Sequence, residues 1–503
     1  MKKFVIVIFA ASLFGCTKLE EKLGSQVLDG GGSSSSGGVT ASSILAGTYD
    51  AMRTPYQDQS RVWASQEHTS DEAIGPTRGG DWDDNGVWRV LHSHQWDPNH
   101  GFLADTYRDL GRIIFSATDL LRFSPTPREA AEGRFLRAMA MFSLVDGWDQ
   151  VAMRTNTANP EEVPTIMKGT AALDFIISEL NAIIPNLPST PTNRANKNAA
   201  RVLLMKCYLN KGVVANRQSP SFVAADMNQI ISLANTIITT GGYTLTPNYF
   251  DNFAPTNDVL SAENIWTAEN IGGSSSGNVR SRWFCTLHYN TNPSGWNGFT
   301  TLSNFYDKFD STDKRRGGAY VGQTNVSGLK VGFLLGQQYN QSGTALSDRT
   351  GAPLAFTREV KLVETGKNLE VTGIRVLKYP IDFTGGDNSN NDYVYFRYAD
   401  VLLMKAEAIL RGGTDPQTPA SLVNAVRTRA GLPNATSVSL EQLLDERGRE
   451  FYWEGWRRND LVRFGKFLNP WQEKGQSDPK RLLFPIPARS LAANPSLSQN
   501  PGY

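Results

Sequence analysis

The helical spacing of apolar residues is the feature that most constrains the fold of this chain. Residues three and four positions apart share one face of a helix, so each such run predicts an amphipathic helix with one buried side. Two runs in the first half are Tyr107, Leu110, Ile114, Ala117 and Leu121, and Leu173, Ile176, Ile177, Leu180 and Ile184. Pro185 and Pro188 follow the second run and end that helix. Residues 134–148 and 199–208 are apolar over most of their circumference, which predicts helices buried between other helices.

The second half of the chain changes character twice. From about residue 220 to residue 391, the stretches "GGSSSG", "NPSGWNGF" and "GGDNSNND" separate short helical or strand-like pieces. Helices are predicted again over residues 398–410, 421–430 and 440–467. We therefore expect one large globular body with long irregular insertions, and loops of this kind commonly carry function on a rigid scaffold.

The N-terminus has the pattern of an exported lipoprotein. A basic start, Met1-Lys2-Lys3, precedes a mainly apolar run too short to span a bilayer, and "LFGC" ending at Cys16 resembles a bacterial lipobox. Cys16 is the predicted lipidation site. We expect a signal peptide over residues 1–15, a lipidated flexible tether over 16–38 and a folded body over 39–503. Within that body, residues 39–219 are predicted to be helical, 220–391 loop-rich and 392–503 helical again.

Composition excludes several classes of protein. The chain has 50 basic and 49 acidic residues, so no overall field attracts nucleic acid. Only Cys207 and Cys285 remain after Cys16, which excludes a disulfide framework. Stability must therefore come from a large core. No motif for a cofactor is present, and none is expected.

Residues 79–101 form a glycine-bounded loop rich in tryptophan, aspartate and histidine, and three kinds of site are possible there. The first is calcium: Asp81, Asp83, Asn85 and Gly86 fit the start of a calcium loop, but His92 occupies the twelfth position where a glutamate is needed. The second is zinc, from His92, His94 and His100, although no third ligand has the spacing typical of zinc sites. The third is an aromatic face for a ligand, from Trp82, Trp88 and Trp96.

Several longer motifs resemble the successive signatures of the SusD/RagB family of Bacteroidetes outer-membrane lipoproteins. They are "RFLRAMAMFSLVDGWDQV", "AARVLLMKCYL", "YFRYADVLLMKAEAIL", "VNAVRTRAGLP", "ERGREFYWEGWRRNDLVRFGKF" and "FPIPARSLAANPSLSQNPGY". The resemblance implies a mostly α-helical body with tetratricopeptide-like helix pairs. It also implies a protein on the cell surface, anchored in the outer membrane, that captures a nutrient, usually a glycan, and passes it to a SusC-type TonB-dependent transporter. It implies no catalysis.

The resemblance also implies that aromatic residues of the early loop and of the mid-chain insertion face the ligand. The predicted ligand-binding residues are Trp82, Trp88, Trp96, Arg78, Asp83, Asn85, Trp283, Tyr289, Trp296 and Asn297, with Phe299 and Asn290 beside them. The apolar face of a pyranose ring packs well on a flat indole, while amides and carboxylates bind its hydroxyl groups. Sugar stacking is therefore favoured over either metal. The alternative for any one tryptophan is that it packs its loop onto the core.

The carboxylates of Glu446, Glu450 and Glu454 stand four residues apart on one helical face, and paired carboxylates are what a glycosidase needs. Five arginines lie in the same segment, and nearby cations favour the ionised form, which is wrong for a general acid. We therefore expect an ion-pair network that stabilises the helix, and no enzyme. Cys207 lies in an apolar helix and is expected to be a core residue.

Two other functions fit the same residues. One is a chiefly structural lid on the transporter, with ligand contacts made by other proteins. The other is the capture of a nutrient other than a glycan, such as a peptide.

Overall fold

In the computed structural model the chain is described for residues 39–78, 82–154 and 163–503. The predicted signal peptide, Cys16 and the predicted tether lie outside the described residues, and so does Asp81 of the calcium hypothesis. Residues Ala41–Tyr503 form one compact unit. None of the described helices combines the length and the apolar character that a membrane span requires.

The fold is mostly α-helical, as predicted. The helices are α1 Ala41–Gln57, α2 Val62–Glu67, α3 Val87–His92, α4 Gly101–Asp119, α5 Pro127–Trp148, α6 Gly169–Ile183, α7 Lys197–Ala215, α8 Ala224–Thr240, α9 Asn257–Leu260, α10 Ser281–Phe284, α11 Ser303–Tyr306, α12 Thr324–Ser327, α13 Tyr398–Leu410, α14 Pro419–Arg429, α15 Leu440–Phe451, α16 Arg457–Arg463 and α17 Ala488–Ala493. Consecutive long helices pack on each other from α4 to α8, and α8 then packs on α13. This succession of helix pairs is consistent with the tetratricopeptide-like arrangement.

Short strands occupy the connections and the mid-chain insertion. They are β1 Thr77–Arg78, β2 Gln150–Met153, β3 Thr165–Lys168, β4 Asn264–Ala268, β5 Gly317–Gly318, β6 Val331–Leu334, β7 Gly336–Gln337, β8 Ala355–Phe356, β9 Val363–Glu364, β10 Arg375–Leu377 and β11 Tyr393–Arg397. The order β10–β6–β5 makes an antiparallel sheet of three strands, and the others pair in twos. The parallel pair of β1 with β9 joins the early loop to the insertion.

The predicted helices of the first half are confirmed. Thr126 caps helix α5, its side chain forms a capping box with Glu129, and Pro127 is the first residue of the helix. Helices α5 and α7 are buried on most sides, as predicted from the apolar residues around most of their circumference. Helix α6 ends at Ile183, two residues before Pro185.

The prediction of only short pieces after residue 220 was wrong for α8, a helix of 17 residues. Its buried positions are Met227, Ile230, Ile231, Ala234 and Ile237. These residues have the three- and four-residue spacing of a buried helical face, so the sequence carried the signal. After α8, the insertion consists of short helices and strands, as predicted.

The single helix predicted over residues 440–467 is also wrong, because the structure divides it into α15 and α16. Between them Trp453 has φ 60° and Gly455 has φ 83°. A left-handed conformation is rare for a bulky side chain, so tertiary contacts must hold it. The Trp453 N–H donates to Oε2 of Glu72 at 3.0 Å, and the Gly455 N–H donates to Glu67.

The main hydrophobic core runs through the helical body and the insertion. A smaller cluster lies where α13, α14 and α15 meet, and it includes Leu403, Val426 and Phe451. Together they bury most of the apolar residues that the periodicity analysis assigned to helix interiors.

Candidate functional site

A buried arginine joins the early loop to the mid-chain insertion. The Arg78 side chain is fully buried, and its guanidinium donates to the carbonyl oxygens of Asn297 and Gly298, the latter at 2.7 Å. It also forms an ion pair with Glu364 at 3.1 Å and donates to the Thr372 hydroxyl at 3.1 Å. Arg78 was predicted to contact the ligand. The structure instead gives it a structural role, because its contacts hold three separate segments together.

The two loop regions predicted to carry the ligand site lie next to each other. Ile74 and Thr300 form a β-bridge. The Trp82 ring packs edge-on against Phe299, with the ring centroids 5.7 Å apart. A Cβ atom at Gly298 would lie 2.7 Å from Cζ2 of Trp82, so only glycine allows this close packing.

Three of the predicted tryptophans are core residues. The exposed fractions of Trp88, Trp96 and Trp283 are 1%, 1% and 4%. The Trp88 indole N–H donates to Asp84 at 2.6 Å, and that of Trp96 donates to the Tyr503 hydroxyl at 2.8 Å. All three indoles are buried, and the N–H groups of Trp88 and Trp96 have partners within the protein. Trp88, Trp96 and Trp283 therefore fit the alternative interpretation, in which a tryptophan packs its loop onto the core. As ligand contacts they are not supported by the structure.

The remaining predicted residues are wholly or partly accessible, with the exceptions of Asn297 and Phe299, which are buried. Trp296 is 38% exposed and packs edge-on against Phe284, with the ring centroids 5.3 Å apart. Trp82 and Tyr289 are half-buried, while Asp83 and Asn85 are exposed. We call Trp82, Tyr289 and Trp296, the accessible or half-buried aromatic residues of these two contacting loops, the aromatic junction.

Asn297 is buried and structural. Its backbone has φ 58°, and its side-chain oxygen accepts a hydrogen bond from Arg375 at 2.7 Å. Together with the bond from Arg78 to its carbonyl oxygen, this contact fixes the backbone directly after Trp296. Asn297 therefore positions the aromatic junction and does not reach its surface.

Tyr289 has partners that the sequence did not reveal. The Arg349 guanidinium lies 4.0 Å from the centroid of the Tyr289 ring and donates to Glu370 at 2.7 Å. His288 Nε2 lies 2.9 Å from the same carboxylate. Burial raises the pKa of Glu370, but hydrogen bonds from Arg349 and His288 outweigh it and hold this pKa below its usual value. Because Arg349 and Glu370 are 60 to 81 residues away in sequence, no local pattern identifies them.

The ring nitrogens of His92 and His94 in the early loop form hydrogen bonds with other residues of the chain. The two ring nitrogens of His92 each lie 3.1 Å from a backbone carbonyl oxygen, and those of His94 contact Thr69 and Ser477 at 2.8 Å. Burial lowers the pKa of both rings. Within residues 39–78, 82–154 and 163–503, no group of three or more His, Cys, Asp or Glu side chains is placed to hold a metal. The calcium hypothesis also depends on Asp81, which lies outside these residues.

The predicted ion-pair network of Glu446, Glu450 and Glu454 is confirmed, and most of its cations come from other segments. Glu450 contacts Arg315 at 3.0 Å, Arg397 at 2.6 Å and also Arg429. Glu446 contacts Arg315 at 2.7 Å and Arg449 at 2.6 Å; Glu454 contacts Lys378 at 2.5 Å and Arg397 at 2.7 Å. We call this buried cluster the charged core.

The charged core is unsuited to acid catalysis. Burial raises the pKa of Glu450, but the three guanidinium groups outweigh it and hold this pKa well below the usual range. A general acid must keep its proton near neutral pH, and this carboxyl does not. Cys207 is buried as predicted, and burial raises the pKa of its thiol, which is the opposite of what a nucleophile needs.

Comparison with known proteins agrees with this description. Residues 262–503 match the sequence model of the SusD family. The starch-binding protein SusD of Bacteroides thetaiotaomicron is 26% identical over 481 residues, which covers 84% of this chain and 82% of that protein.

Solved structures have the same fold. A SusD superfamily protein from Parabacteroides distasonis superposes with a TM-score of 0.73 at 18% identity, covering 92% of this chain and 98% of the other. Surface glycan-binding protein A from Bacteroides thetaiotaomicron, in complex with laminarihexaose, superposes with a TM-score of 0.68 at 18% identity and the same coverage. At these identities the likeness establishes the fold alone.

Proposed function

We propose that the chain, whose residues 262–503 match the sequence model of the SusD family, is a cell-surface lipoprotein that binds a glycan and delivers it to a SusC-type TonB-dependent transporter. The observation that carries the proposal is the aromatic junction, where Trp82, Tyr289 and Trp296 are accessible on neighbouring loops. Relatives named for binding starch and laminarihexaose support a glycan as the ligand.

The chemistry of the aromatic junction suits a sugar. Flat aromatic rings offer an apolar surface to the C–H face of a pyranose, and exposed Asp83 and Asn85 offer acceptors and a donor to hydroxyl groups. The buried contacts of Arg78 and Asn297 hold the loops in place, so the aromatic rings are positioned before the ligand arrives. Such preorganisation lowers the entropy cost of binding.

We propose binding without catalysis. The carboxylates whose spacing resembles that of a glycosidase pair are ion-paired in the charged core. The role of a structural lid, with no ligand contact of its own, is the competing function that the following experiment decides.

A glycan array probed with residues 39–503, which contain the compact unit Ala41–Tyr503, tests the proposal. We expect binding to one class of oligosaccharide, and loss of that signal in the double variant Trp82→Ala/Trp296→Ala. Phe115→Ala is the matched control, because Phe115 is an exposed aromatic on α4, away from both loops. An array with no glycan bound, or a double variant that binds as the wild type does, would favour the lid.

The anchor is proposed to be the lipid on Cys16. Acyl chains contribute about 0.8 kcal/mol per buried CH₂, so Cys16→Ser should release the protein from the membrane fraction. Retention of that variant in the outer membrane would contradict the lipobox interpretation.

A further inference from the structure

A cavity of about 350 Å³ opens beside α15 and α16, and none of the predicted ligand contacts lines it. Its walls come from Asp71, from the segment around Phe305 and from residues 466–472, which include Trp471. We call it the Trp471 pocket. Its volume lies within the range of about 300–1,000 Å³ that is common for small-molecule sites.

The apolar walls of the Trp471 pocket are firmly placed. Phe305, Leu444 and Leu461 are buried, and Trp471 is half-buried. The Lys474 ammonium lies 3.9 Å from the centroid of the Trp471 ring and donates to two backbone carbonyl oxygens, which fixes the orientation of the indole. The indole N–H of Trp471 is buried and has no hydrogen-bond partner within the described part of the chain.

The charged side chains of the pocket neutralise each other. Arg457 is buried and binds the two carboxylate oxygens of Asp71 at 2.7 and 2.8 Å. Lys308 pairs with Asp445 at 2.6 Å, and Lys466 lies 3.4 Å from Glu441. Each cation in the wall thus has an acidic partner in the wall. A charged ligand would compete with these pairs, whereas a neutral ligand would leave them intact.

Two amides at the rim have side chains that make no hydrogen bond within residues 39–78, 82–154 and 163–503. They belong to Asn304 and Asn469, which are both exposed. The backbone of Asn304 is held, because its N–H donates to Oε1 of Gln472 at 3.1 Å. Each amide offers both a donor and an acceptor, which is the combination that hydroxyl groups on a sugar ring require.

We propose that the Trp471 pocket is a second carbohydrate site, separate from the aromatic junction, that takes one neutral sugar residue. The half-buried indole of Trp471 contacts the apolar parts of the ring, and Asn304 and Asn469 bind its hydroxyl groups. The inference rests on the proposed function, because a protein that captures glycans at the cell surface encounters the sugars that this pocket would bind.

Fluorine NMR can observe the two sites separately in one titration. Residues 39–503 contain all 11 tryptophans of the chain, and labelling with 5-fluorotryptophan gives each its own resonance. The variants Trp296→Phe and Trp471→Phe assign the two reporters. The labelled protein is then titrated with methyl β-D-glucopyranoside, methyl α-D-glucopyranoside, maltohexaose and laminarihexaose.

We expect the Trp471 resonance to shift with at least one of these sugars, at a midpoint different from that of Trp296. The double variant Asn304→Ala/Asn469→Ala should raise the Trp471 midpoint about tenfold or more, because each lost hydrogen bond weakens binding by roughly 1 kcal/mol, and leave the Trp296 midpoint unchanged. Asn186→Ala, an exposed asparagine outside the pocket, is the control.

The outcomes separate the two proposals. A Trp296 resonance that shifts while Trp471 stays still in every sugar overturns the second site and leaves the proposed function standing. A Trp471 resonance that moves while Trp296 stays still supports the pocket and contradicts the aromatic junction. If the Trp471 midpoint is the same in the double variant and the wild type, the assignment to these two amides is overturned.

Discussion

In the charged core each glutamate pairs with guanidinium or ammonium groups, whereas the tryptophans of the two loops that carry the aromatic junction divide between the interior and the surface. Glu450 alone contacts three arginines, and its side chain is fully buried. Trp88 and Trp296 come from the two loops that meet at the junction, yet one is 1% and the other 38% exposed. The charged core is therefore saturated with internal partners, while the junction keeps part of its surface available.

This difference separates residues that stabilise the fold from residues that can bind. A buried charge that loses its partner is costly, so every member of the charged core should affect stability. An exposed aromatic ring contributes little to the core, so its loss should affect binding alone. The following predictions test this division.

The largest effect is expected from Glu450→Gln. The substitution leaves Arg315, Arg397 and Arg429 without their shared carboxylate, and breaking a buried ion pair typically costs about 3–5 kcal/mol. Denaturant unfolding should show that loss. Glu441→Gln on the same helix is the control, because its carboxylate is exposed and pairs weakly with Lys466. Equal stability of the two variants would contradict the structural importance of the charged core.

A smaller effect is expected from Arg78→Lys, which tests whether the buried contacts of Arg78 hold the aromatic junction in position. An ammonium group cannot reproduce the branched contacts of the guanidinium, and leaving buried acceptors unsatisfied costs roughly 1–3 kcal/mol. We expect reduced stability together with weaker glycan binding, since the loop of Trp82 loses its fixed position. Arg89→Lys is the control, because Arg89 is only half-buried and its side chain donates to Thr77. A variant that loses stability but binds the glycan normally would show that the contacts of Arg78 do not position the binding site.

The smallest effect concerns pH and the turn between α15 and α16. Burial raises the pKa of Glu67 from 4.5 to about 7, despite hydrogen bonds and the cations of Lys378 and Arg282, and the neighbouring Glu72 carboxyl is raised as well. A raised carboxyl pKa means that the folded state holds a proton that the unfolded state releases. Its contribution to stability is complete below about pH 4.5 and is lost as the pH rises through about 7.

Glu67→Gln replaces this group with one that cannot ionise. Between pH 5 and 8 the wild type should therefore lose more stability than the variant, by on the order of 1 kcal/mol. Thermal melting across this pH range measures the difference. A variant with the same pH dependence as the wild type would show that Glu67 does not titrate in this window.

The fold could be predicted from the sequence wherever periodicity decided the structure. Helix α13 has the predicted bounds, because its long, mostly apolar run is rich in strong helix formers such as Leu402, Met404 and Ala406. The division of residues 440–467 could not be predicted, since the break at Trp453 depends on Glu67 and Glu72, nearly 400 residues earlier in the chain. The ion-pair partners of Glu450 could not be predicted for the same reason, because Arg315 and Arg397 are distant in sequence and reach it only in the folded chain.

The candidate site could be predicted by region but not by residue. The sequence analysis placed the predicted site on the early loop and the mid-chain insertion, and the structure shows these two regions in contact. It could not tell Trp88 from Trp296, because burial of an aromatic ring is decided by what packs on it. At Gly75 a Cβ atom would lie 2.5 Å from Cβ of Trp88, a closeness that no sequence pattern reports.

The central claim is that exposed aromatic residues bind the glycan and buried ones hold the fold, and calorimetry together with melting of Trp296→Ala and Trp88→Ala tests it most directly. With the oligosaccharide selected on the array, we predict that Trp296→Ala loses roughly 1–3 kcal/mol of affinity, by analogy with stacking on bases, and melts like the wild type. Trp88→Ala should lose about 3–5 kcal/mol of folding stability, while its folded fraction still binds. If Trp296→Ala melted early and bound the glycan normally, the account would be contradicted.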